Sequence, residues 1–328
     1  MNRPVVLVTG GTGFVGRNLI PALAAAGFAV RATHRNPLPS SAPAAEWLLI
    51  PDRPEVRDWK LPLAGATHVV HLAALAHRMG RGGEVAESEY NVANHVATAR
   101  LAEAVAAAGG IQRFIFVSSI GAVCPMSDQP VDENTPCRPV TAYGRSKLAA
   151  EQAVKRVLAS STSDWCILRP PLVYGPGNPG NLNRLLGLIR RRWPLPFGSI
   201  RNRRSLIYVG NLVDAVRVVL ECPAASRCTF GLSDGILMST PDLVRALAAA
   251  EGLSPRIFPF PVWALRFTAY AARTASALRG GDGARAADSL EKLCTSLAVD
   301  DSLFRRTCGW RPPHAIADGL RSAVRPAS

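Results

Sequence analysis

The stretch VVLVTGGTGFVGRNLIPAL, residues 5–23, constrains the fold more than any other part of this 328-residue chain. A short apolar run meets glycines at positions 10, 13 and 16, and an amphipathic helical pattern begins at once. Glycine at such a junction permits a tight turn, lets backbone approach a pyrophosphate and lets helix pack closely on strand. The helix start leaves amides free for an anion. The spacing therefore predicts a dinucleotide cradle with Gly10, Gly13, Phe14, Val15 and Gly16 as its contacts.

The same strand-then-helix alternation continues through the first half. AVRATH, HVVHLAA, RFIFVSS and WCILRP read as buried strands, and NLIPALAAAG and NVANHVATARLAEAVAAAG as helices ended by glycine. That pattern predicts an α/β fold, a Rossmann-type doubly wound parallel sheet with a smaller mixed α/β carboxy-terminal substrate lobe. PPLVYGPGNPGN breaks the alternation and marks the crossing between lobes. We expect a dinucleotide domain over 1–170, joined by a returning segment near 205–222, and a substrate lobe over 171–328.

Composition removes several classes. The seven cysteines are scattered with no CxxC pair, and no histidine cluster has ligand spacing, so neither a disulfide framework nor a zinc site is expected. This points to a reducing cytoplasm. A net charge of +14 invites polyanions, yet no helix-turn-helix, zinc finger or run of stacking aromatics accompanies it. Nucleic acid is thus not an expected partner, and no stretch is long and apolar enough for a membrane span. A homodimer is compatible with the sequence.

At the end of the second strand, where an acid would hold the adenosine ribose, stand His34 and Arg35. An arginine there suits a 2′-phosphate, which directs the expectation towards NADP(H), with NAD(H) as the alternative. Asp52 is a candidate for the adenine amine. Further on, TAYGRSKLAAEQ places Tyr143 and Lys147 four residues apart on one helix face. A neighbouring ammonium and a bound nicotinamide cation are together expected to lower the phenol pKa from near 10 and make Tyr143 an acid or base near neutrality.

Taken together, TGGTGFVG, HLAA, FIFVSS, AYGRSKLAAE, LRPPLVYGPG and RSLIYVGNLVDA occur in an order and spacing that resembles the extended short-chain dehydrogenases/reductases, in the branch of nucleotide-sugar epimerases, dehydratases and reductases. The resemblance implies that Ser119, rather than Ser118, holds the reacting sugar oxygen, and that Lys147 also holds the nicotinamide ribose. It further implies that Asn94 supports the site from a neighbouring helix. Leu72, Ala73 and Ala74 would line the cofactor, Pro170 would border nicotinamide, and Arg204 would grip the diphosphate of a UDP-sugar. Asn181, just beyond the crossing, is a candidate contact to sugar or phosphate.

Three positions depart from the galactose-pathway 4-epimerases: the missing acid after the second strand, Ala76 in place of a lysine, and Leu172 in place of an asparagine. The resemblance thus leans towards reduction of a UDP-4-keto-6-deoxy-hexosamine, with a UDP-hexose 4-epimerase or a catalytically silent scaffold as alternatives. Finally, FPFPVWALRFTAYAARTASALRG could lie at a lipid interface. The reading adopted is a lobe helix whose apolar side faces the core.

Overall fold

A computed structural model describes residues 3–38, 40, 42, 44–76, 85–178, 181–279 and 283–324, without the side chains at 55, 181, 275–279 and 283–286. The first half runs β1 (Val5–Thr9), α1 (Phe14–Ala25), β2 (Ala29–His34), β3 (Glu46–Leu49), α2 (Lys60–Leu63), β4 (His68–His71), α3 (Glu87–Tyr90), α4 (Ala97–Ala108), β5 (Arg113–Val117), β6 (Ser127–Val131), α5 (Ala142–Val157) and β7 (Asp164–Arg169). The second half runs β8 (Leu172–Tyr174), α6 (Asn181–Arg190), β9 (Arg204–Tyr208), α7 (Val209–Glu221), β10 (Cys228–Gly231), β11 (Leu237–Met238), α8 (Thr240–Ala250), α9 (Val262–Arg279), α10 (Gly283–Cys294), β12 (Leu297–Val299), α11 (Ser302–Cys308) and α12 (Ile316–Val324).

Seven strands form one parallel sheet in the order β10-β7-β5-β4-β1-β2-β3. β4 and β5 are buried along their whole length, which is why the apolar residues of HVVH and RFIFV run consecutively instead of alternating. Leu19, Ile20 and Leu23 of α1 pack with Leu212 and Val216 of α7 on one face, and Leu101, Val105, Ala150 and Val154 of α4 and α5 cover the other. The strand order reverses between β1 and β4, so a crevice opens beyond their carboxyl ends, where such folds bind ligands. The expected α/β architecture is present. The chain's return to the main sheet continues past residue 222, because β10 pairs with β7.

The lobe holds a second sheet, β11-β9-β12-β6, with β8 paired to β9. Leu182, Leu185, Leu186, Leu243, Leu247, Leu265 and Leu320 fill its core. A buried hub joins the two parts: the Asp234 carboxylate accepts from Tyr174 Oη at 2.9 Å, from Asn211 Nδ2 at 2.7 Å and from the Tyr208 amide. Burial raises its pKa.

Helix α6 ends where Arg192 takes a left-handed φ of 54°, a conformation normally left to glycine. Trp193 then turns outward. Helix α9 departs from the expectation of a core-facing apolar side. Leu265 and Ala269 are buried, but Trp263, Phe267 and Tyr270 point away from the protein. The helix carries apolar residues on two sides, and the α10 hairpin partner and the lobe core cover only one.

Candidate active site

The site begins at the turn after β1. Gly10 has φ 73°, and a Cβ on it would lie 2.7 Å from the Ala73 nitrogen. Only glycine lets the ends of β1 and β4 come this close. A Cβ on Gly16 would fall 2.5 Å from the Gly10 oxygen, so α1 starts directly on the turn. Gly13 caps α1 without any side-chain acceptor, and the first turn carries no acid. The amides of Phe14, Val15 and Gly16 therefore face outward as donors for an anion. The cradle fits a dinucleotide pyrophosphate, with Leu72 and Ala73 as its opposite wall: the Leu72 amide bonds Thr9 O at 3.1 Å. Ala74 follows in the same non-helical segment.

Arg35 and Asp52, both expected at the adenosine end, form an ion pair of 2.8 Å in which each side chain is more than half exposed. The arginine charge is thus shared with Asp52. Trp47 of β3 closes over Gly11, where an added Cβ would come within 2.9 Å of the indole.

Asn94 lies in a π-helical turn, residues 91–96, between α3 and α4. Such turns add a residue and re-aim a side chain. The Asn94 amide is buried, accepts from Leu75 N at 2.6 Å, and donates to Leu75 O at 3.0 Å and to Ser146 Oγ at 2.9 Å. Ser146 Oγ in turn donates to Tyr143 O at 2.8 Å. One asparagine thereby ties the cofactor wall to the start of α5.

A second buried relay reaches the same turn. Thr98 Oγ1 donates to Asn94 O, so it accepts from His71 Nε2 at 2.9 Å. His71 Nδ1 is then the acceptor for Thr9 Oγ1 at 2.6 Å. Burial, aided by the charges of Lys147 and Arg57, drops the His71 pKa to about 3, which keeps the ring neutral. Sequence reading missed His71, Thr98 and Ser146. A histidine in an apolar strand was the available signal.

Ser119, Tyr143 and Lys147 converge at the carboxyl end of β5. Two glycines make this possible: a Cβ on Gly144 would sit 2.3 Å from Gly121 O, so α5 crosses the 120–122 turn in backbone contact. Tyr143 hydrogen-bonds Ser119, and Ser119 Oγ also accepts from Gly121 N at 3.1 Å. Ser118 points the other way and donates to Glu151 at 2.5 Å. Pro170 O accepts from Ile120 N at 3.0 Å, placing the Pro170 segment beside the serine.

Lys147 is buried, with Nζ donating to Val117 O at 2.8 Å and lying 4.2 Å over the Phe116 ring. Burial lowers its pKa to about 7, against the pull of Glu151. Burial likewise pushes Tyr143 up to about 12, although its bond to Ser119 acts downward. Among the protein's own groups burial thus sets the direction, while the expected lowering also counts a nicotinamide cation. The ring loses hydration, and the Lys147 ammonium is itself disfavoured by burial. Glu151, one turn beyond Lys147, forms a buried ion pair of 2.6 Å with Arg169. Its four-residue step from Lys147 was readable in the sequence, but its partner on β7 was not.

Arg204 on β9 is held at Nη1 by the carbonyls of Lys292 and Thr295, and burial lowers its pKa. Nη1 is thereby engaged by the lobe's own backbone. Asn181 opens α6, but its side chain lies outside the described residues.

Residues 6–229 match the NAD dependent epimerase/dehydratase family. The chain belongs to that family. Over 97% of its length and 94% of the relative's, it is 33% identical to a UDP-glucose 4-epimerase of Vibrio cholerae. It is 28% identical, over 98% of its length and 94% of the relative's, to an N-acetyl-alpha-D-glucosaminyl-diphospho-ditrans,octacis-undecaprenol 4-epimerase of Escherichia coli O157:H7. The solved structure of MoeE5 in complex with UDP-glucuronic acid and NAD superposes with a TM-score of 0.75 at 25% identity, covering 97% of this chain and 96% of that one. Within the family fold, no described helix is long and apolar enough to cross a membrane.

Proposed function

We propose that this family member reduces carbon 4 of a UDP-4-keto-6-deoxy-hexosamine with a nicotinamide cofactor. The convergence of Ser119, Tyr143 and Lys147 beside the glycine cradle supports redox chemistry at a sugar carbon, and the missing acid at the end of β2 carries the choice of reduction. A bound NAD(P)H supplies the hydride. The backbone amides at 14–16 hold its pyrophosphate, and Leu72, Ala73, Ala74 and Pro170 border its rings. Ser119 Oγ holds the carbon 4 oxygen, and Tyr143 Oη delivers the proton to it.

One feature supports reduction over epimerisation: β2 ends at His34 without an acid to grip the adenosine ribose, which suits a cofactor that leaves after each turnover. Arg204 remains the proposed diphosphate contact and Asn181 a proposed sugar contact.

The second reading, a UDP-hexose 4-epimerase, is favoured by the name of the Vibrio relative. One experiment separates them. The purified protein is mixed with NADPH or NADH and a UDP-4-keto-6-deoxy-hexosamine, and absorbance is followed. Stoichiometric oxidation of cofactor supports the reductase. Tightly held NAD with interconversion of UDP-hexoses and no net oxidation overturns it. Tyr143→Phe abolishes either reaction while cofactor affinity persists; full activity in that variant removes the proposed role.

A further inference from the structure

Among the described residues, every exposed aromatic side chain lies on one region of the lobe: Trp193, Phe258, Trp263, Phe267 and Tyr270. Two loops bring them together. Leu195 N bonds Arg256 O at 2.7 Å, Phe258 N bonds Leu195 O at 3.1 Å, and Gly198 N bonds Phe258 O at 2.9 Å. The Trp193 loop thus runs edge to edge with the segment that leads into α9.

On α9 the outer residues follow steps of four and three: Trp263, Phe267 and Tyr270 are 74%, 66% and 69% exposed. The buried residues Leu265 and Ala269 occupy the other side. A helix that needs only its inner face for packing has no folding reason to set three aromatics in water.

Charge follows the same region. Residues 181–213 contain seven arginines and no acid, and residues 252–281 contain four arginines and no acid. These two runs hold most of the net charge of +14. Arg191, Arg192, Arg256 and Arg266 are exposed. None of the four has an ion pair among the described residues, in contrast to Arg190, which holds Glu251, and Arg273, which holds Asp288 and Glu291.

We infer that this face docks the protein on an anionic phospholipid bilayer. Tryptophan and tyrosine belong at the level of the headgroups, where a ring meets apolar chains and its polar tip meets water. Arginines beside them complement the negative surface. No described helix is long and apolar enough to span the bilayer, so the face rests in the interface plane. The inference does not depend on the proposed reaction.

The test is flotation of the full chain with vesicles of phosphatidylcholine containing roughly a third phosphatidylglycerol, against phosphatidylcholine alone, at low and high salt. The protein is expected to float with the anionic vesicles at low salt and to dissociate as salt rises. Trp263→Ser, Phe267→Ser and Tyr270→Ser combined should weaken binding at least tenfold with an unchanged melting temperature, because these side chains contact water. Arg191→Ser and Arg266→Ser should each cost about fivefold.

Failure to float at low salt overturns the inference, as does undiminished flotation of the triple variant. A concentration-dependent dimer lost in the triple variant, without vesicle binding, assigns the face to a second copy instead. Retention on single-stranded DNA without vesicle binding assigns it to nucleic acid.

Discussion

Replacing Gly144 by alanine should both destabilise the protein and slow it, although alanine is the better helix residue. In an unconstrained helix the exchange is stabilising by about 1 kcal/mol. At Gly144 the new Cβ would lie 2.3 Å from Gly121 O, 3.1 Å from Pro139 Cβ and 3.1 Å from Thr141 Oγ1. To reach ordinary contact, α5 and the 120–122 turn must separate by about 1 Å. Overpacking of this kind costs roughly 1–3 kcal/mol, enough to cancel the helical gain and usually exceed it.

The separation acts where Ser119 meets Tyr143, so the chemistry suffers more than the fold. A misplacement of about 1 Å costs on the order of 100-fold in rate. Gly187 provides the matched control, since it is helical in α6 and an added Cβ would meet nothing within 4 Å. Thermal melts and single-turnover cofactor oxidation would be measured on both variants. Gly187→Ala should melt slightly higher with parental turnover; Gly144→Ala should melt lower with a collapsed rate and little change in cofactor affinity. A Gly144→Ala protein that melts higher and turns over normally would refute the argument that backbone contact positions the pair.

Three further outcomes are expected. Lys147 binds fewer protons in the folded than in the unfolded chain between about pH 7 and 10.5, so the stability of the parent relative to Lys147→Met should rise with pH across that window; equal urea midpoint differences near pH 7 and near pH 10 would sink this. Glu151→Gln leaves the Arg169 guanidinium buried beside a neutral partner and should cost roughly 3–5 kcal/mol in urea unfolding, with much of the loss recovered by adding Arg169→Met; no recovery would mean that the charge is not the cause. Asn94→Ala strips the Leu75 amide and Ser146 of their partner, and nicotinamide affinity measured by fluorescence titration should fall at least tenfold, while unaltered affinity would detach the asparagine from the cofactor wall.

What the sequence made legible was local. The glycine turn, the buried strands and the Tyr143 to Lys147 step each reside in one continuous segment whose period announces its geometry. The relays through His71, Thr98 and Ser146 were not legible, because each joins residues from separate elements and none repeats at a telling interval. Tyr143 illustrates the limit for electrostatics: the lysine's position was readable, but the burial that outweighs it is a property of the packed whole. In α9 the apolar period was correctly seen and its direction was not. A helix with aromatics on two sides has a pattern that does not say which side the core will claim.

The π-helical turn at 91–96 also sets the phase of everything after it. Its surplus residue advances α4 by about 100° relative to an uninterrupted α-helix. Leu101, Ala102 and Val105 reach the core only because of that offset. Forcing residues 91–96 into a regular α-helix without removing a residue would rotate them out of the interior, whereas deleting one residue as the helix straightens would restore their phase and lose only the placement of Asn94. The bulge is therefore what lets the helix carry one extra residue, and with it the placement of Asn94, while the apolar face of α4 still meets the core.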